Sequence, residues 1–351
     1  MILTVTLNPA YDVTYRVQRM ERGAAQRVQT VEQRAGGKGV NVARVLTGAG
    51  IYAVASGLAD LEFAEFAAGS VPVDFVNGLP WVRRTLVVHE ADGTVTGLWE
   101  PGAAVRDSSV IELLMTRIRV LLPQLRGMVV SGSLPQGVRP SLPAELARMA
   151  VGAGVPVICD VDGAALRYAV RVPGVVLMPN AEELRELTGF ATHGPVEVVR
   201  AVRPLLADGV RAVVATRGAE GMVAVTASGA WRAHLTESIT GNPTGAGDAA
   251  AAAVIAHLAG ASFGAHDLPN SLAVQSLPAN GAVSQALVPE SRAQRAVPQW
   301  PELLAEAVAT SAAAVAAPVA GEVDLSLRAR LLPTVRVEPV CAPDPQEFSC
   351  P

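Results

Sequence analysis

At 351 residues the chain can bury one large core or two small ones, and half of it is apolar although only 4% is aromatic. A net charge of −4 offers no general attraction to nucleic acid or anionic lipid. No apolar run approaches the roughly 20 residues of a membrane span, so neither a nucleic-acid nor a membrane partner is expected.

Residues 2–7 read as a strand and not as a secretory leader, so a soluble, cytoplasmic protein is the expectation. Cys159, Cys341 and Cys350 do not make a disulfide framework. Asn8 to Asp12 reads as a turn, and 13–31 as exposed strands rich in Arg and Gln. After Gly36 and Gly37, the apolar positions Val42, Val45, Leu46 and Ala49 have helical spacing and stop at Gly48 and Gly50. A strand is expected over 51–56, then a hairpin over 81–99 turning at Ala91-Asp-Gly93.

From there helices at 110–122, 143–152, 181–188 and 196–206 alternate with short apolar strands at 128–130, 155–159, 175–177, 212–215 and 222–226. Strands without strict polar alternation, separated by helices, predict a mostly parallel sheet covered on both faces. Ligands in such folds bind at the carboxyl ends of the strands. Residues 260–299 are rich in Ser, Pro, Gly, Asn and Ala and read as a low-complexity insertion. A helix resumes over 300–317, and 339–351 reads as a disordered tail.

Two segments carry chemistry. Gly241-Asn-Pro-Thr-Gly-Ala-Gly-Asp248 runs into an alanine-rich helix, which leaves amide N–H groups at a positive helix end with Asp248 beside them. That arrangement suits an anion and a general base, though an acidic residue merely offsetting the helix dipole is the plainer reading. Of 28 basic residues only Lys38 is lysine, and it sits between glycines in Gly36-Gly-Lys-Gly-Val-Asn41. A compact ammonium on a flexible stem can reach a phosphate where a planar guanidinium would not fit.

With Thr4-Val-Thr-Leu-Asn-Pro-Ala-Tyr-Asp12, Val130-Ser-Gly-Ser-Leu-Pro135, Met178-Pro-Asn-Ala-Glu-Glu-Leu184 and Thr216-Arg-Gly-Ala-Glu-Gly221, these make six motifs in order. Together they resemble the ribokinase-like (PfkB) family of sugar kinases, in its hexose-phosphate branch of 1-phosphofructokinases and tagatose-6-phosphate kinases. The resemblance covers residues 1–338 as one domain. It implies a three-layer α/β/α fold with a central, mostly parallel sheet and a small β lid from 13–31 and 81–99. It implies ATP and magnesium, a phosphosugar substrate, and a homodimer formed through the lid.

By the same resemblance Asp248 is the base, and the amides of Gly245, Ala246 and Gly247 stabilise the migrating phosphoryl group. Asp12, Gly37 and Asn41 line the sugar, and Lys38 with Arg83 grips the phosphate it already carries. Thr216, Gly218, Gly221 and Asn180 belong to the nucleotide side, and Glu183 to the magnesium shell through water. Read as residues alone, Asp12 could stabilise a turn, Asn180 and Glu183 could cap a helix, and Arg83 could be a solvated strand charge.

The chain departs from the family pattern at Met178, where a lysine is frequent, and at Thr85, where an asparagine is. The stretch from Gly57 to Asp74 looks shortened, which puts a sugar contact or a supporting helix in doubt. The implied reaction is phosphorylation of fructose 1-phosphate to fructose 1,6-bisphosphate. The alternatives are tagatose-6-phosphate or fructose-6-phosphate as acceptor, or a catalytically weak paralogue that only binds a sugar phosphate.

Overall fold

Short apolar strands separated by helices pair edge to edge into one large sheet. Its parallel members are β1 (Ile2–Thr6), β4 (Ala53–Ala59), β5 (Val73–Asn77), β8 (Gly127–Ser131), β9 (Val157–Asp160), β10 (Val176–Leu177) and β11 (Ala212–Thr216). Three antiparallel strands extend one edge: β12 (Met222–Thr226), β13 (Gly229–His234) and β14 (Arg336–Pro339). The order is β14-β13-β12-β11-β10-β9-β8-β1-β4-β5. The computed structural model describes residues 1–237, 239–263, 298–317 and 319–341. The predicted insertion and tail lie almost wholly outside the described residues.

Helices α1 (Lys38–Gly48), α8 (Ala246–Leu258) and α9 (Trp300–Val315) pack side by side. A second group, α4 (Leu142–Gly152), α5 (Gly163–Ala169), α6 (Ala181–Thr188) and α7 (Pro195–Ala207), packs in series along the strands from β8 to β12. Near the two edges, α3 (Ser109–Leu121) packs on β5 and α10 (Leu325–Leu331) on α9. Strands buried on both faces need no polar alternation, and β1, β4 and β8 are buried at every position. α8 is apolar nearly all round and almost entirely buried, which is where such a helix belongs.

A separate four-stranded sheet has the order β3-β2-β6-β7, from β2 (Ala10–Val17), β3 (Thr30–Gly36), β6 (Arg83–Glu90) and β7 (Val95–Trp99). The predicted hairpin is β6 and β7, antiparallel as expected. Two expectations differ. Residues 18–29 form no strand, and their exposed, polar, glycine-punctuated sequence has no apolar face to bury. The predicted turn at Asn8 to Asp12 is shorter, because β2 already starts at Ala10 and pairs with β3 and β6 on both sides.

The segment after Gly57 does build a helix, α2 (Leu61–Ala68), whose N-cap Asp60 accepts from the Phe63 amide at 2.6 Å. Phe63 is fully buried, worth about 2–3 kcal/mol of transfer free energy. Tyr11 of β2 meets it edge-on with ring centroids 5.2 Å apart. α2 therefore backs the strand that carries Asp12. Cys159 is buried and free, and Cys341 is disulfide-bonded just beyond β14.

Candidate active site

The carboxyl ends of the parallel strands form a row. In it lie the turn after β1, Ser131 ending β8, Asp160 ending β9, Asn180 just after β10 and Thr216 ending β11. Above this row α8 begins. Gly245, with φ +84°, is its N-cap, and a Cβ there would come within 3.1 Å of Ala320 Cβ and of the Gly321 nitrogen. Among the described residues the amides of Gly245, Gly247 and Asp248 donate to nothing. The Ala246 amide donates to Pro243 O at 3.2 Å, so one of the three amides expected to face an anion is already engaged. Gly247 borders open space, with no packing neighbour within 4 Å of where a Cβ would stand.

Asp248 is 6% exposed and sits in the first turn of α8, where Asn41 Nδ2 donates to its Oδ2 at 3.0 Å. Burial is the main influence on its carboxyl, pushing it up to about 7. The Lys38 ammonium and the Asn41 hydrogen bond oppose that rise, and the charges of Asp160 and Asp12 add to it. A carboxylate that titrates near neutrality is matched to proton abstraction from an alcohol.

Lys38 opens α1, and its Nζ lies 2.8 Å from Asp160 Oδ1. Burial works against its charge, but Asp160, Asp248 and Glu183 outweigh that and hold the ammonium above its ordinary range. Asp160 belongs to none of the roles expected from the sequence. Its signal is nonetheless there: an acidic residue at the carboxyl end of a buried parallel strand.

Asp12 lies on β2, so the turn-stabilising reading does not hold. Thr85 Oγ1, opposite it on β6, donates to its Oδ1. Burial pushes the Asp12 carboxyl up, while Thr85, Arg44, Asn41 and Arg83 pull it back. A Cβ on Gly36 would lie 2.0 Å from Asp12 Oδ2, so that glycine, next to the Gly37 predicted to line the sugar, makes room for the carboxylate. Gly37 itself is the N-cap of α1 and presses on Pro9. Arg83 is held by the carbonyls of Asn8 and Glu100, at 3.3 and 3.0 Å, and its charge faces Asp12, Glu100 and Asp162.

Asn180 and Glu183 form a capping box: Asn180 Oδ1 accepts from the Glu183 amide at 2.8 Å, and Glu183 Oε2 accepts from the Asn180 amide at 2.9 Å. That leaves Glu183 Oε1 outside the box. Among the described residues no three His, Cys, Asp or Glu side chains converge as a metal cage. Burial, joined by Asp160 and Asp162, pushes the Glu183 carboxyl up. A divalent cation beside it would relieve that crowding of negative charge.

A parallel bridge pairs Asn180 with Thr216. Gly218 starts the turn after β11 with open space around it, and Gly221 closes that turn against Ala233 O, which a Cβ would approach to 2.0 Å. Three strands separate β11 from β1, so these residues stand apart from the group of Asp12, Lys38, Asn41 and Asp248. The row thus has two ends, with Asp160 and Glu183 between them.

Residues 5–276 match the pfkB family of carbohydrate kinases, well over half of the chain. This chain belongs to the pfkB carbohydrate kinase family. Solved structures with the same fold include phosphofructokinase-2 from Escherichia coli in complex with potassium, 23% identical, TM-score 0.78, covering 95% of this chain and 98% of that one. A possible 1-phosphofructokinase from Thermotoga maritima is 22% identical, with TM-score 0.71 and coverage of 97% and 99%. A ribokinase from Arabidopsis thaliana complexed with ribose and ATP is 21% identical, with TM-score 0.62 and coverage of 94% and 98%. The pfkB assignment makes this a sugar kinase with a ribokinase-like fold, and the mostly parallel sheet with its smaller four-stranded companion agrees with that.

Proposed function

We propose that this pfkB kinase phosphorylates a ketohexose monophosphate at the expense of magnesium-ATP, with fructose 1-phosphate giving fructose 1,6-bisphosphate as the first-choice reaction. One observation carries the reading. Asp248 is buried, titrates near neutrality, and stands beside unpaired amides at the start of α8, with the sole lysine of the chain close enough to influence its charge.

The sugar sits against Asp12, on β2 of the small sheet, and against Gly37 and Asn41 at the start of α1. Asp248 takes the proton of the attacking hydroxyl as the oxygen bonds to the γ-phosphorus and the bond to the β-phosphate oxygen breaks. The Gly245 and Gly247 amides face the charge on the transferred group. Lys38 leaves Asp160 for the phosphate already on the sugar, assisted by Arg83. The nucleotide lies toward Thr216, Gly218, Gly221 and Asn180. Magnesium would be held through water at Glu183, and when bound it neutralises charge on the nucleotide phosphates. Closing the small sheet over the sugar excludes water and limits idle ATP hydrolysis.

Fructose-6-phosphate is the second acceptor to test, because one solved structure of the same fold is Escherichia coli phosphofructokinase-2 in complex with it, at TM-score 0.74. A tagatose 6-phosphate acceptor would use the same lysine. The capped helix α2 behind β2 favours turnover over a binding-only role. The decisive experiment is ATP-dependent turnover on fructose 1-phosphate, fructose 6-phosphate, tagatose 6-phosphate and the free ketoses, with Lys38→Met alongside. A phosphosugar should be preferred by at least about tenfold in kcat/KM, and Lys38→Met should erase that preference. Free sugar preferred over every phosphosugar refutes the role of Lys38.

A further inference from the structure

Arg44, one turn beyond Asn41 on α1, makes contacts that none of the expected site roles explains. Its Nη1 donates to Asn41 Oδ1 at 3.0 Å, and its Nη2 donates to the carbonyl of Ala35 on β3. The other end of the same Asn41 carboxamide, Nδ2, donates to Asp248 Oδ2 at 3.0 Å. A guanidinium has donors only, so it can meet the carboxamide only at its oxygen. That fixes which end of Asn41 is turned toward the base.

We infer that Arg44 is a positioning residue for Asp248: by holding the Asn41 oxygen it compels the Asn41 NH2 to face the carboxylate. The inference rests on Asp248 being the base. Without Arg44 the carboxamide is free to rotate by half a turn. Its oxygen then confronts a carboxylate oxygen, a repulsive contact that becomes a hydrogen bond only when Asp248 holds a proton. Losing Arg44 therefore favours the protonated, inactive form of the base.

The surroundings are built around this contact. A Cβ on Gly321, at φ +77°, would come 2.5 Å from Arg44 Nη1 and 2.8 Å from Asn41 Oδ1, so the segment after α9 seals the hydrogen bond from outside. Its neighbour Ala320 abuts Gly245 at the start of α8. The Ala35 bond ties the same guanidinium to the small sheet. The charges facing Arg44 are Asp12 on β2, Arg34 on β3, Glu322 in the segment after α9 and Asp248 on α8. Those facing Asp248 are Lys38, Asp160 and Asp12, together with Arg44 itself. Apart from Arg44, none of these groups donates to the Asn41 oxygen among the described residues.

The test is the titration of the Asp248 carboxyl in the ligand-free protein, followed by carbon NMR with aspartate labelled at the carboxyl and the resonance assigned from Asp248→Asn. Arg44→Met should raise the midpoint, and the acid limb of kcat/KM with it, by about one pH unit, the size of a lost hydrogen bond to a charged group. Arg44→Lys, still a donor-only cation, should move it back toward wild type. In an Asn41→Ala background Arg44→Met should shift the midpoint little, since the route through the carboxamide is gone.

An unmoved midpoint in Arg44→Met overturns the inference, as does a shift that persists in full when Asn41 is alanine, which marks plain charge loss. Should Arg44→Met fail to fold, Gly321→Ala crowds the same bond with Arg44 in place. It must raise the midpoint with Asn41 present and not with Asn41→Ala, or the inference falls. Turnover that survives Asp248→Asn defeats the base assignment instead, and the NMR midpoints judge Arg44 independently of it.

Discussion

Replacing Asp248 with asparagine should stabilise the protein while stopping the chemistry. The ionised carboxylate is buried, and its pKa rises from an ordinary 3.8 to about 7. At 1.36 kcal/mol per unit, that difference amounts to about 4 kcal/mol. The sign follows from the direction of the shift. Below about pH 4 the carboxyl is protonated in both folded and unfolded chains, and its contribution is at its most favourable. As pH climbs toward 7 the unfolded chain ionises freely and the folded one resists, so stability is lost across that window. Asparagine cannot ionise, and its side-chain oxygen can still accept from Asn41 Nδ2. Lys38, Asp12 and Asp160 remain in both proteins. Urea unfolding at acid, neutral and mildly alkaline pH should therefore show curves that coincide near about pH 4 and separate by about 4 kcal/mol above about pH 7, a large share of a typical 5–15 kcal/mol. Turnover should fall by about 10²–10⁴-fold. A stability difference that is independent of pH, or a less stable asparagine variant in mild alkali, refutes the buried-base account.

Asp160→Asn removes a negative neighbour that raises Asp248 and frees Lys38 to act on it, so the acid limb of the kcat/KM profile should move to lower pH. An upward move contradicts the charge arrangement. Gly36→Ala places a methyl 2.0 Å from Asp12 Oδ2, and KM for the sugar should rise by about tenfold or more with ATP affinity unchanged, as read by separate titrations of the two substrates. The small sheet exposes Val31, Leu98 and Trp99, the last at 69%, an apolar surface that would suit the homodimer implied by the family resemblance. Trp99→Asp should convert the species seen by sedimentation to a monomer, and an unchanged dimer assigns the interface elsewhere.

Much of the site is legible in the sequence because its parts depend on backbone type. Gly245 before an alanine run can only be a tight turn into a buried helix, and the hairpin over 81–99 announces itself through Ala91-Asp-Gly93. Side-chain partners are another matter. Asn41 reads as a sugar ligand, yet it also touches Asp248, which lies 207 residues further along the chain. No local pattern encodes that meeting. Asn41 and Arg44 are three apart on one helix and so share a face, a cue that helix geometry offers. Asp12 resembles a turn residue because Pro9 stands before it, but pairing with two strands outweighs that local preference. Helix α2 leaves little trace in the sequence because its Ala- and Phe-rich run is short, and only the Asp60 cap marks its start.

Arg34 of β3 forms an ion pair with Glu322 in the segment after α9, and both side chains are more than a third exposed to solvent. This contact joins the small sheet to the stretch that also backs Gly245 and Arg44. Being wet, it is open to screening by dissolved ions. If the small sheet closes over the acceptor as proposed, this tie is one that salt loosens, and ionic strength would then tune how readily the acceptor enters and leaves.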